Sequence, residues 1–256
     1  MFKNFFKIAW RNLVKSKGYS AINIGGLAVG MAVAILIGLW VYDELSYDKY
    51  HKNYNHIAQV MQHANFNGET GTQTANPALM GSEIKAKYGS DFKYVVQASW
   101  QGRHLLSMGK RNFTKECIFF EPDAPDMLTL KMLKGTRKGL KDPYSIMLSA
   151  STAKAIFGNE EPMNKTIRLD RNLDVKVTGV YEDLPGNTSF RELEIIMPWE
   201  LWLIQNPWAK QMQNPWGSNF SQTFVQVADN ADMQKVSAKI KNTKLDNVGA
   251  DEKKYK

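Results

Sequence analysis

The chain has 256 residues, 43% of them hydrophobic and 23% charged, and a formal net charge of +8 at pH 7. Residues 1–17 contribute five positive charges and no acid, which leaves +3 for the remaining 239 residues. Because the basic charge is concentrated at one end, it argues against nucleic acid as a partner. The single cysteine, Cys117, excludes an intrachain disulfide, and the apolar residues that follow it indicate a buried thiol.

The first seventeen residues have the pattern of a basic amphipathic helix. Phe2, Phe5, Phe6, Ala9 and Leu13 fall on one side of such a helix, and Lys3, Lys7, Arg11 and Lys15 follow at steps of four on the other. A helix of this kind is suited to lie in the plane of an anionic membrane leaflet, with lipid as its partner. The alternative is a charged flank without regular structure. The pattern favours the helix, with its break at Lys17-Gly18.

The 25 residues between Lys17 and Asp43 carry no charge. A helix of that length reaches about 37 Å, and the hydrocarbon core of a bilayer is about 30 Å thick. The apolar core of a cleaved signal peptide is shorter, about 7–15 residues, and ends in small residues, whereas this segment ends near Trp40, Tyr42 and Tyr47. A buried core helix would be shorter and would carry a polar edge. Residues 18–42 are therefore predicted to form a transmembrane helix that is retained.

The charged flanks predict how this helix is oriented. Cationic flanks stay in the cytoplasm, so residues 43–256 should lie outside the cytoplasmic membrane. Within the helix, Gly26 and Gly30 form a small-residue face that allows another helix to approach closely. We expect the helix to pack against others through these two glycines.

The part beyond residue 42 is long enough for one large domain or two small ones. Its first section predicts a strand at 57–64, a helix capped by Asn76-Pro77 and closed by Gly89, and a strand over Phe92–Trp100. Residues 57–100 are thus a predicted strand–helix–strand unit.

The middle section is richer in strands. Strands are predicted at 104–109, 112–121 and 145–148, and Ser149 is expected to cap a short helix that Gly158 ends. Two further strands follow, and one face of the second should carry Leu173, Val175, Val177 and Tyr181. Another begins at Leu193.

The last section predicts a strand at 221–229 and a helix capped by Asn230, with Met233, Val236 and Ile240 on one face. The polar residues 249–256 are expected to be frayed. No closing strand follows, which suggests an N-terminal fragment of a longer protein.

No motif predicts catalysis. Gly109-Lys110-Arg111 lacks the Ser or Thr and the spacing of a Walker A loop, and no Gly-x-Ser-x-Gly elbow occurs. His51, His56 and His63 include no pair with the i,i+4 spacing of metal ligands on a helix, and His104 is alone in a strand. We expect no catalytic, cofactor or metal site and no enzyme activity, with ATP hydrolysis on a separate domain or chain.

Residues 198–220 hold four of the seven tryptophans. Trp199 and Trp202 are predicted to begin a helix whose aromatic face covers the core. For Trp208 and Trp216, each in an Asn-Pro-Trp triplet, we expect exposure and contact with a substrate or partner. The alternatives are exposure of Trp199 and Trp202 in the same aromatic patch, and a Pro-bounded loop without a binding role for the segment that carries Trp208 and Trp216.

Two blocks of sequence resemble MacB-like ABC transporter permeases. The opening FFKIAWRNLVKSKGYSAINIGGLAVG is similar to the segment that leads into their first membrane helix. Residues 133–190, with SASTAKAIFG, NKTI and VTGVYEDLP, are similar to their periplasmic core domain. The chain departs from the family pattern at Gly139, where Ala is usual, and at Asn164, where Gly is usual.

The resemblance implies an α+β fold with a transmembrane helix at 18–42, preceded by a basic amphipathic helix at 1–17. The periplasmic domain, 43–256, would combine a porter-like βαβ part, 43–101 and 220–256, with an inserted strand-rich part, 102–219. The implied location is the bacterial inner membrane.

The implied function is a permease component of the mechanotransmission type, whose outer domain relays the motion of a cytoplasmic ATPase in efflux or in lipoprotein or peptide export. The implied partners are that ATPase, a second permease copy in a dimer, and a periplasmic adaptor or lipoprotein. A single-pass anchored sensor or binding module without transport activity is the alternative.

Overall fold

The structure is a computed structural model and describes residues 2–66 and 69–248. It divides into two compact units, one ending at Tyr47 and one beginning at Asp48. The polar segment 249–256, expected to be frayed, lies outside the described residues.

The first unit consists of two helices, α1 (Phe2–Lys15) and α2 (Lys17–Ser46). Both were predicted, but the chain breaks at Ser16 rather than at Lys17-Gly18, and α2 continues four residues beyond position 42. None of the residues of α2 is buried, and its 30 residues span about 45 Å. Within the described chain, it is the one helix long and apolar enough to cross a membrane.

The second unit is mainly β-sheet. Its strands are β1 (Ile57–Gln59), β2 (Gln62–Phe66), β3 (Glu69–Gln73), β4 (Phe92–Ala98), β5 (Gly102–Met108), β6 (Arg111–Phe120), β7 (Met132–Gly135), β8 (Ser145–Ser149), β9 (Thr166–Leu169), β10 (Leu173–Tyr181), β11 (Ile195–Pro198) and β12 (Gln222–Val227). Its helices are α3 (Met80–Tyr88), α4 (Ala124–Met127), α5 (Ala150–Phe157), α6 (Trp199–Gln205), α7 (Met233–Ile240) and α8 (Thr243–Asn247).

Six strands close into a ring in the order β6-β11-β8-β10-β9-β5, because β5 pairs with both β9 and β6. The pairs β11–β6 and β10–β8 are parallel, and the other four are antiparallel. A closed ring has no exposed sheet edge, which stabilises the strand-rich part. β7 pairs with β10 outside this ring.

The ring is filled by the apolar residues that alternate along its strands. The inward residues form one buried cluster: Leu106, Cys117, Phe119, Ile146, Leu148, Ile167, Leu169, Val175, Val177, Val180, Ile195 and Met197. The prediction that Tyr181 shares the face of Val175 and Val177 is wrong. The register of β10 against β8 shifts between Val177 and Gly179, which reverses the alternation and places Tyr181 in a neighbouring cluster.

A three-stranded arm, β1-β12-β4, continues from the ring through the pairing of Ala98 with Phe120. β1 and β4 both lie antiparallel to β12, so the predicted strand–helix–strand unit is present with β12 between its strands. α3 and α7 contribute Met80, Ile84 and Val236 to the core on one face of this arm. The predicted subdivision at 101/102 and 219/220 remains a prediction.

Two predicted helix caps in this arm are wrong. Asn76 does not cap α3, because its backbone pairs with Ser221 and its buried amide donates to the carbonyl oxygen of Val60. α7 is capped by Asp232, which accepts from the backbone NH of Lys235, and not by Asn230. In the second case a nearby residue offers the same type of cap.

The predicted single strand at 57–64 is also wrong. The chain leaves β1 after Gln59, and β2 then pairs with β3 as a separate hairpin. No glycine or proline marks the break, so the sequence pattern alone does not reveal it.

Local signals in the ring are confirmed. Ser149 accepts from the backbone NH of Thr152 at the start of α5, and Gly158 follows this helix with φ +63°. Asn164, at the position where glycine is usual, has φ +63°, a conformation that Asn adopts more readily than other non-glycine residues.

Candidate functional site

In the N-terminal unit, the residues predicted to contact the membrane or another helix are exposed. Lys3, Lys7, Arg11 and Lys15 are exposed on α1, and Phe5 and Phe6 are 74% and 80% exposed. A Cβ atom added at Gly26 or Gly30 would meet nothing within 4 Å, so the face that these glycines form on α2 is open within this chain. The roles of these residues in membrane binding and helix packing remain predictions.

An aromatic cluster, formed by Trp199, Trp202, Trp208 and Phe220, lies beside the ring. Trp199 and Trp202, one helical turn apart on α6, stack with ring centroids 4.7 Å apart. Phe220 stacks on Trp202 at 5.5 Å, and Trp208 meets Phe220 edge-on at 5.0 Å. Such contacts stabilise a fixed aromatic surface.

The two Asn-Pro-Trp triplets differ. Trp208 is 49% exposed at the edge of the aromatic cluster, and its indole NH donates to Asn206 at 3.2 Å. Trp216 is only 9% exposed and packs in the core beneath the three-stranded arm. The expected exposure is confirmed for Trp208 and wrong for Trp216, because the loop carrying Trp216 folds back onto that core.

The chain directly after α2 is held by a cluster that we call the junction cluster: Asp48, His51, Leu128, Thr129, Thr188 and Ser189. The carboxylate of Asp48 accepts from the Thr188 hydroxyl at 2.7 Å and from the Ser189 backbone NH and hydroxyl at 2.8 and 2.7 Å. The Asp48 backbone NH also donates to the carbonyl oxygen of Asn187 at 2.8 Å. The first residue of the second unit is thus tied to a loop 140 residues further along the chain.

His51 forms the second half of this cluster and is 2% exposed. Its Nδ1 lies 2.7 Å from the carbonyl oxygen of Leu128, which can only accept, so Nδ1 donates. Its Nε2 lies 3.1 Å from the Thr188 hydroxyl, which also lies 2.7 Å from the Asp48 carboxylate, so a neutral imidazole and the carboxylate face the same single proton. The histidine and the carboxylate therefore share one hydroxyl, which couples their positions.

The protonation states follow from these contacts. Burial raises the pKa of Asp48, but the hydrogen bonds from Thr188 and Ser189 outweigh it, so the pKa lies below its ordinary value. Burial lowers the pKa of His51 more than the Leu128 carbonyl and Asp48 raise it. An ionised Asp48 and a neutral His51 are the expected forms at neutral pH.

Two residues of the junction cluster have a positive backbone φ angle. Asp48 has φ +59° and Thr129 has φ +50°, which is unusual for a β-branched residue. Thr129 accepts from the backbone NH of Lys52 at 3.1 Å, so the strained residue is itself a contact of the junction cluster.

Cys117 and His104, two other residues considered for chemistry, have structural surroundings. Cys117 is buried inside the ring, and burial raises the pKa of its thiol well above the ordinary value. His104 pairs with Asp170 at 2.7 Å. Among the described residues, no group of three or more His, Cys, Asp or Glu side chains could hold a metal ion.

The junction cluster was not predicted from the sequence. Its contacts join residues 77 to 141 positions apart, and no spacing rule relates them. Asp48 stands among the acidic residues that follow the predicted membrane helix, but this signal does not identify its partners.

One family model matches most of the chain. The family model described as MacB-like periplasmic core domain matches residues 20–243. No curated protein matches the chain.

Three solved structures resemble the fold. A domain of a candidate permease protein from Porphyromonas gingivalis is 16% identical, with TM-score 0.62, and the match covers 78% of this chain and 85% of that one. The periplasmic region of MacB from Actinobacillus actinomycetemcomitans is 18% identical, with TM-score 0.52 and coverage of 78% and 91%. The extracellular domain of the noncanonic ABC-type transporter YknZ from Gram-positive bacteria is 14% identical, with TM-score 0.53 and coverage of 76% and 97%.

Proposed function

The chain belongs to the family of MacB-like periplasmic core domains, and from this premise we propose that it is a membrane-anchored permease component of an ABC transporter. In this proposal the outer domain receives motion generated by a cytoplasmic ATPase and passes it to substrate or to partner proteins. No passage of substrate through the described domain is required.

The junction cluster is the observation that carries this proposal. A domain on a flexible linker would not respond to small movements of its anchor, because a flexible chain dissipates them. Here only Tyr47 separates the last residue of α2 from Asp48, which makes three side-chain hydrogen bonds with the loop at 188–189. A first residue that is held in this way within its own unit suits mechanical transmission.

The proposal includes a location and a set of partners. The basic residues of α1 would place the N-terminus at the cytoplasmic leaflet, in contact with anionic lipid, and residues 43–256 would lie in the periplasm of a bacterial inner membrane. Gly26 and Gly30 would allow close packing with other membrane helices, including those of a second permease copy.

The aromatic cluster is the proposed contact for substrate or for a periplasmic adaptor or lipoprotein. Trp208 is half exposed, and its ring is held by Phe220 and Trp202, so little side-chain freedom is lost on binding. Trp216 has no part in this surface because it is buried.

The test is affinity purification of the full chain from its native membranes, followed by measurement of ATP-driven movement. Because Cys117 is buried, Lys141→Cys on the exposed surface provides a single labelling site for a fluorophore. We expect an ABC ATPase to co-purify, and ATP with vanadate to change energy transfer between labels on two copies. Asp48→Ala should reduce that change without loss of the ATPase, whereas Asp43→Asn, at an exposed acid of α2, should not.

Purification without any ATPase would contradict the proposal and favour the anchored sensor or binding module. An unchanged nucleotide response in Asp48→Ala would retain the ATPase partner but refute the junction cluster as the route of transmission.

A further inference from the structure

A groove of about 1230 Å³ lies in the three-stranded arm. It is bounded by β1, by the β2–β3 hairpin and by α7 and α8. Protein cores are close-packed and leave few voids larger than a water molecule. Small-molecule sites typically measure about 300–1000 Å³, so this groove is large enough to hold a ligand.

Most of the groove is apolar. Its inner surface is formed by side chains that also belong to the core of the arm: Val60, Met80, Ile84, Val225, Val227 and Val236. Towards solvent it is continued by Met61, which is 53% exposed, and by Met233 and Leu245. This surface suits an apolar chain of substantial length.

Polar groups converge at one part of the wall. The ammonium group of Lys244 donates to Gln62 Oε1 at 2.8 Å and to Asn219 Oδ1 at 3.0 Å, and the Gln62 amide also donates to Asn219 at 3.1 Å. A second lysine, Lys241, lines the groove from an exposed position directly after α7. Among the described residues that line the groove there are two lysines and no Asp or Glu.

We propose that this groove binds a long-chain carboxylate of the fatty-acid class. Its apolar chain would lie along the valine and methionine side chains, and its single negative charge would face Lys241 and Lys244. The positive charge of the two lysines matches a compact monoanion, whereas sites for phosphate more often use the bidentate geometry of arginine. The proposal goes beyond the proposed function and does not depend on it.

The test uses the full chain in phosphatidylcholine nanodiscs and a palmitic acid that carries a photoreactive diazirine. After irradiation, peptide mapping locates the adducts. We expect adducts in 58–64 and 233–248, in addition to those on the membrane helix. Unlabelled palmitate should compete with the groove adducts, and hexadecanol, which has the same chain without the charge, should compete much less.

Matched variants separate binding from general effects on α7. Ser237→Trp places a large ring in the groove and should reduce the groove adducts about tenfold, equivalent to 1.4 kcal/mol. Lys235→Trp, two residues away and outside the lining, should leave them unchanged. Lys241→Met should weaken labelling about two- to fivefold, the range for a partly exposed ion pair, and Lys235→Met is its control.

Several results would overturn the proposal. Adducts confined to Lys17–Ser46 would mean that the probe binds only at the membrane helix. Equal competition by hexadecanol would refute recognition of the carboxylate, and stronger competition by phosphatidylglycerol would refute the fatty-acid class. If Ser237→Trp does not fold, unchanged labelling in Lys241→Met would still contradict the assignment.

Discussion

Replacing Asp48 with Asn tests whether the start of the second unit, directly after α2, is held by charge-assisted hydrogen bonds. The substitution keeps the size of the side chain and tolerates φ +59°, so it removes the negative charge and one acceptor oxygen with little backbone strain. The three side-chain hydrogen bonds to Asp48 measure 2.7–2.8 Å. We therefore expect the lost charge to cause the decrease in the free energy of local opening.

The magnitude follows from those contacts. A hydrogen bond to a charged group contributes about 1.5–3 kcal/mol, but Ser189 is exposed and water can replace part of its interaction. We expect Asp48→Asn to lower the free energy of local opening by about 1–2 kcal/mol. Asp48→Ala, which removes both oxygens and adds strain at positive φ, should cost about 2–3 kcal/mol.

Hydrogen exchange of the full chain in nanodiscs measures this opening directly, because local opening and global unfolding are separated. Amides of 48–52 and 187–190 should exchange about tenfold faster in Asp48→Asn, since 1.4 kcal/mol is a factor of ten. Amides of the six-stranded ring should be unaffected. The matched control is Asp43→Asn on α2. Equal exchange in the two variants would refute the assigned role of Asp48.

Three further predictions concern single residues. Burial lowers the pKa of His51, so the unfolded state binds more protons than the folded state just below pH 6.5. The free energy of unfolding should therefore fall as the pH drops through this range, and His51→Gln should remove that fall in urea titrations. Trp216→Ala should cost about 3–5 kcal/mol in chemical unfolding, and Trp208→Ala less than about 1 kcal/mol; equal losses would contradict their assigned burial. Asn164→Gly should leave thermal stability unchanged or raised, whereas Asn164→Val should cost about 1–2 kcal/mol, and a tolerated valine would refute the left-handed conformation.

Local signals in the sequence were sufficient where one physical rule determined the structure. Alternation placed Leu173, Val175 and Val177 on one face of β10, and the Ser149 cap and Gly158 stop defined α5. The apolar segment 18–42 likewise predicted α2, because an uncharged segment of this length is long enough for a helix that spans a bilayer.

The wrong predictions concern residues for which the local sequence is compatible with two structures. Contacts between distant segments determine which of the two forms. Asn76 has the chemistry of a cap, but its amide and backbone are used to join β12 and the segment after β1. Alternation predicted Tyr181 on the face of Val177, yet one bulge reversed it. Trp216 carried the same triplet as Trp208, and only the three-dimensional path of the loop separated a core residue from a surface residue.

The same reasoning explains why the junction cluster could not be found from the sequence although it carries the proposed function. Asp48, His51 and Thr188 are ordinary polar residues, and their importance comes from one hydroxyl that serves both a carboxylate and a buried imidazole. A mechanical link of this kind needs contacts between distant segments, since neighbouring residues could move together with the helix. Long separation along the chain, which hides the cluster from sequence patterns, is thus the property that would allow it to transmit movement from the anchor into the body of the domain.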